Sequence, residues 1–125
     1  MATVQIINDG PRNLVIKVDG TGAETNTKIV DVTTLNPPCT TLSLASIVYS
    51  LAPAAAMQLL WEATADVVAW NLFGSGGVVA PFMLTSGIPN NAGAGVTGNV
   101  LLSGGAASTN YSIYLEFLKN GVEPR

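Results

Sequence analysis

A chain of 125 residues fits one domain able to bury its own core. Charged residues are only 10% against 48% hydrophobic, the net charge is −3, and the mean hydropathy is +0.41. The sequence shows no basic patch and no basic amphipathic stretch, so neither binding to nucleic acid through phosphate neutralisation nor attachment to a membrane surface is expected.

No apolar run approaches the ~18 residues of a membrane-spanning helix. Gln58, Glu62, Asp66 and Asn71 interrupt the best candidate. The opening residues lack a basic region followed by a long apolar one, so no signal peptide is expected. Such a chain is expected to cover its apolar surface with neighbours, as obligate assemblies do. The single cysteine, Cys39, rules out an intrachain disulfide and points to synthesis in a reducing cytosol.

In chain order, residues 3–8 alternate valine and isoleucine with polar residues, as a strand does. Asn8-Asp9-Gly10-Pro11 is a turn. Residues 12–19 form a second strand with Leu14, Ile16 and Val18 on one face. Residues 20–27 read as a loop and 28–32 as a short strand. Pro37-Pro38 closes the connection that follows. Residues 40–51 form a long strand, with Leu42, Leu44 and Ser46 opposed to Thr41, Ser43 and Ala45. Residues 52–56 are an apolar connector containing Pro53.

The segment 59–72, LLWEATADVVAWNL, carries both tryptophans. As a helix it would be apolar on nearly all sides, with Glu62 and Asp66 repelling at i, i+4. Pro53 would suit the start of such a helix. A hairpin is favoured, with Leu59, Trp61 and Ala63 on one face and Val68, Trp70 and Leu72 on the returning one. Residues 73–77 read as a glycine-rich turn, and 78–84 as an edge strand interrupted by Pro81. A loop covers 85–98, a short strand 99–103 and another loop 104–110. The last strand, 111–119, places Tyr111, Ile113, Leu115 and Phe117 on one face. Roughly eight or nine short strands at intervals of about 10 residues predict an all-β, antiparallel β-sandwich or jelly-roll-like single domain. Residues 1–8 are expected to be an extended N-terminal arm and 120–125 a mobile tail.

Chemistry-bearing constellations are sparse. Gly93-Ala94-Gly95-Val96-Thr97-Gly98 matches G-x-G-x-x-G, but it leads into a strand-like segment, where a dinucleotide site needs a strand–helix junction. Glu62 and Asp66 form a carboxylate pair near a turn, with few polar companions for acid–base work; a bond to a neighbouring subunit's Arg12 or Lys28 is an alternative. Histidine is absent, so Cys39 has no base to activate it, and zinc sites of Cys/His type are excluded. Asp19, Glu24 and Asp31 lack calcium-loop spacing. Tyr111, Tyr114 and the tryptophans are candidates for a sugar platform, against core packing as the commoner use. No enzyme, metal or cofactor is expected.

The strings DGPRNLV (9–15), NPPCT (36–40), WEATAD (61–66) with Trp70 following, and GIPNNAGAGVTG (87–98) resemble a group of short virion proteins of tailed bacteriophages. The resemblance runs in order over nearly the whole chain. It implies a capsid decoration (cement) protein: a small β-rich chain, often a homotrimer, that clamps neighbouring major capsid protein subunits on the virion exterior after synthesis in the host cytoplasm. No catalytic residues come with that family. This chain carries less charge in its second half than the members it resembles. The expected interface is uncharged: loops 74–78, 85–98 and 104–110 and the N-terminal arm. Its named candidates are Val4, Ile6 and Arg12, then Pro89, Asn90 and Asn91, then Gly93, Gly95 and Gly98. Two other expectations remain open, a head–tail connector or tail component and a carbohydrate-binding jelly roll on the virion surface.

Overall fold

The computed structural model describes residues 2–52, 56–79, 88–105 and 109–120. The strands among them are β1 (Ala2–Asp9), β2 (Asn13–Thr21), β3 (Glu24–Val30), β4 (Thr41–Ala52), β5 (Ala56–Trp61), β6 (Val67–Phe73), β7 (Ser75–Val79), β8 (Val100–Gly104) and β9 (Asn110–Asn120). One 3-10 turn, Val32–Thr34, is capped by Asp31, whose side chain accepts from the Thr33 amide. The Pro53 connector, the Pro81 part of the expected edge strand, residues 85–87 and 106–108 of the expected loops, and the tail 121–125 lie outside the described residues.

The strands form two antiparallel sheets, ordered β1-β2-β9-β4-β7 and β3-β8-β5-β6. Apart from β1, the pairing is nested: β5 with β6, β4 with β7, β3 with β8, and β2 with β9. The chain is thus one long antiparallel ribbon folded over on itself. Its arms change sheet at short corners, at residues 22–23 between β2 and β3 and at Gly74 between β6 and β7. Nested ribbon pairing across two packed sheets is the jelly-roll arrangement, and β1 is an extra strand on one edge.

Alternation in the strongest strands builds the core. Leu14, Ile16 and Val18 of β2 and Ile113, Leu115 and Phe117 of β9 are all at most 1% exposed. They meet Met57, Leu59, Trp61, Leu72, Val100 and Leu102 of the other sheet. Full burial of each such side chain stabilises by roughly 1.5–3 kcal/mol relative to exposure. The segment 59–72 is the expected hairpin, β5 paired with β6.

Several expectations are corrected. Residues 20–27 are not a loop: β2 runs to Thr21 and β3 starts at Glu24, because β9 and β8 supply ladder partners for both. Residues 73–77 are not a turn; only Gly74 separates β6 from β7. The strand expected at 3–8 is β1, and it pairs with β2 along its length.

Three register shifts explain the other differences. In β1 the pairing passes from Ile6↔Ile16 to Asn8↔Val15, so Ile7 is an extra residue. In β4 it passes from Leu44↔Phe117 to Ser46↔Glu116, so Ala45 is extra. The inward phase therefore moves from Leu42 and Leu44 to Ile47, Tyr49 and Leu51, and Ser46 leaves it. In β6, Leu59↔Trp70 is followed by Leu60↔Val68, leaving Ala69 unpaired. Val68 is accordingly 40% exposed, while Val67 takes the place opposite Trp61. Each bulge reverses which side of the strand faces the core.

Candidate interaction surfaces

The five-stranded sheet is one strand wider than its partner, and β1 is the strand that overhangs. Val4 and Ile6 face inward, opposite Val18 and Ile16, yet they are 38% and 57% exposed. Ile7, displaced by the bulge, is 52% exposed. A narrow cleft of about 50 Å3 runs beside them, lined by Leu14, Ile16, Ile29 and Leu35 as well as Val4 and Ile6. β1 carries no charge from Ala2 to Asn8. Charged or proline residues are the usual devices that keep an edge strand from pairing with another chain. Arg12 is exposed in the turn joining β1 to β2, where its carbonyl accepts from the Lys119 amide.

The glycine loop is fastened to the tip of the β5–β6 hairpin. Glu62 Oε1 accepts from Thr97 Oγ1 at 2.7 Å and from Asn99 Nδ2 at 3.0 Å. Main-chain bonds join Thr97 to Glu62, Glu62 to Asn99 and Thr64 to Ala94. Asn99 Oδ1 in turn accepts from the Val32 amide, which brings the 31–40 connection into the same network. The hydrogen bonds from Thr97 and then Asn99 hold the Glu62 carboxyl below its usual pKa. Asp66 Oδ1 accepts from the Ala63 amide across the hairpin turn. The two acids therefore act as turn and loop fasteners.

Within this loop the named candidates divide. Gly95 (φ +78°) and Gly98 (φ +88°) face the chain itself: a Cβ would strike Thr64 at the first and the Thr40 carbonyl at the second. Asn90 Oδ1 accepts from the Ala92 amide, while its Nδ2 is buried with no partner among the described residues. Pro89, Asn91 and Gly93 are exposed, and Val96, 43% exposed, closes the turn that runs from Gly93 through Ala94 and Gly95. Gly93–Gly98 leads into β8, so the helix start that a dinucleotide loop needs is missing from that position.

The expected platform residues, Tyr111, Tyr114 and the two tryptophans, do not gather into one surface. Trp61 is fully buried. Tyr111 is buried and donates to Glu24 Oε2; burial, reinforced by that acid, pushes its phenol well above the usual range. Burial also raises the Glu24 carboxyl, but hydrogen bonds including those from Thr27 and Tyr111 bring it below its usual value. Tyr114 stands on the outer face of the five-stranded sheet beside Val48. Cys39 is buried in the core, which pushes its thiol up and keeps it protonated.

Sequence reading missed one pairing. Tyr49 and Trp70, both half-buried, share a cleft with Val68, Ala69 and Asn71 at the mouth between the sheets. The bulges at Ala45 and Ala69 set the phases that bring them there, and neither alanine carries a local signal of a bulge. Among the described residues, no three of Cys, Asp and Glu come together as a metal site. No family model matches the chain, and comparison with curated proteins gives no match either.

Proposed function

We propose that this chain is a capsid decoration protein of a tailed bacteriophage, which associates with copies of itself and binds the outer shell by bridging major capsid subunits. The observation that carries the reading is β1: an eight-residue edge strand whose inward side chains Val4 and Ile6 overhang the opposite sheet, with no charge before Asp9. An uncovered apolar strand of this kind suits burial against another protein.

Two further features support it. The jelly roll is a recurrent architecture of viral shell proteins, a fold-level analogy that raises the reading without identifying a site. Every carboxylate among the described residues is engaged within the chain: Asp9 by Lys119, Asp19 by Lys17, Glu24 by Tyr111, Asp31 by Thr33, Glu62 by Thr97, Asp66 by Ala63 and Glu116 by Tyr114. These are structural uses of acids. A trimer that engages several capsid subunits at once gains avidity beyond any one contact. Val96 and the exposed loop residues Pro89, Asn91 and Gly93 are the second contact region in this reading.

The test is to mix purified protein with capsids that lack it and image them. The proposal expects added density at local threefold positions. Density at the tail vertex would replace it with a connector or tail role, and no bound density would overturn it.

A further inference from the structure

We propose that the mouth of the sandwich between Tyr49 and Trp70 is a binding site for a neutral oligosaccharide. This inference stands on its own geometry and is independent of the capsid reading. Tyr49 comes from β4 and Trp70 from β6, each pointing inward from its own sheet. They lie near the edge formed by β6 and β7, the terminal strands of the two sheets on that side among the described residues.

The site is open because of what β7 lacks. The residue paired with Tyr49 is Gly76, and a Cβ there would come within 3.2 Å of the Tyr49 hydroxyl oxygen. Any larger side chain would start to fill the mouth. The resulting cleft measures about 570 Å3, and its lining among the described residues contains no charged side chain. That size lies within the ~300–1,000 Å3 of ordinary small-molecule sites.

The chemistry offered is that of a sugar ring. A pyranose has a C–H face that packs on an aromatic ring and a rim of hydroxyls that need hydrogen-bond partners. Tyr49 and Trp70 supply two aromatic bodies, each with a polar tip. Asn71 borders the cleft from the outer face of its sheet, where its Oδ1 accepts from Gln58 Nε2 at 3.2 Å, so the polar groups offered to a sugar inside the mouth are the Tyr49 hydroxyl and the Trp70 indole N–H. An anionic sugar would be desolvated there without a countercharge, so a neutral one is selected.

Intrinsic fluorescence reads this site well. Of the two tryptophans, Trp61 is 0% exposed, so a bound sugar acts on Trp70. The experiment titrates the whole protein with maltotriose, cellotriose, galactobiose and chitotriose, following tryptophan emission and saturation-transfer NMR. At least one of the four is expected to give a saturable change, with transfer strongest to the protons of one sugar face. Tyr49→Ala and Trp70→Ala should each weaken it by roughly tenfold or more. Gly76→Ala, which keeps both aromatics and narrows the mouth, should also weaken it and serves if the first two variants fail to fold. Absence of saturable binding to all four sugars, or binding that survives these substitutions, overturns the proposal.

Discussion

Lys119 Nζ lies 2.5 Å from Asp9 Oδ1, an ion pair between residues 110 positions apart in the chain. It joins the end of β1 to the end of β9. Lys119 also donates to the Pro37 carbonyl at 2.9 Å, and Asp9 Oδ2 accepts from the Asn36 amide at 2.8 Å. One pair thus fastens the first strand, the last strand and the 31–40 connection. The bulge at Ile7 makes this possible, because it turns Asp9 to the inward side, opposite Leu14.

The Lys119 side chain is 0% exposed and that of Asp9 18% exposed. Asp9→Asn leaves a buried ammonium with weakened compensation, and urea unfolding should show a loss of about 3–5 kcal/mol. Lys119→Met leaves a carboxylate that can reach water, so it should cost less than Asp9→Asn. Equal costs for the two would contradict this account.

Trp61→Ala should lose about 3–5 kcal/mol of stability in the same assay, since the largest fully buried side chain of the core is removed. Trp70→Ala, at a half-buried site, should lose clearly less. A Trp61→Ala protein that unfolds like the parent would place the core elsewhere.

The Glu62 network predicts a pH dependence with a definite sign. Its folded pKa lies below the usual 4.5. The carboxylate therefore contributes its stability fully above the unfolded value, and that contribution is lost as pH falls through the folded one. The protection factors of the Thr64 and Thr97 amides, which bind across the hairpin–loop junction, should fall more on acidification in the parent than in Glu62→Gln, once exchange is corrected for its intrinsic pH dependence. An equal fall in both would assign the effect to other acids.

Much of the fold was legible in local pattern. Leu14, Ile16 and Val18, and Tyr111 through Phe117, alternate cleanly because each strand has one buried face. The hairpin at 59–72 followed from the cost of an all-apolar helix. The bulges were not legible: Ile7, Ala45 and Ala69 look like ordinary strand residues, yet each reverses the phase after it. Strand extension through 20–27 also escaped, because the partners that straighten those residues lie some eighty positions away. At the candidate surfaces, Val4 and Ile6 were recognisable as an apolar strand. Gly95 and Gly98 read as free loop glycines because Thr64 and Thr40, which they pack against, are distant in sequence.

Light scattering on the protein eluting from a sizing column, for the parent and for Ile6→Lys, tests the central claim most directly. An apolar β1 that nothing covers among the described residues predicts a discrete oligomer for the parent. A lysine on the overhanging face should shift it to monomer with the fold intact by circular dichroism, since position 6 is 57% exposed. A parent that stays monomeric at every concentration, or an oligomer indifferent to Ile6→Lys, would contradict the account.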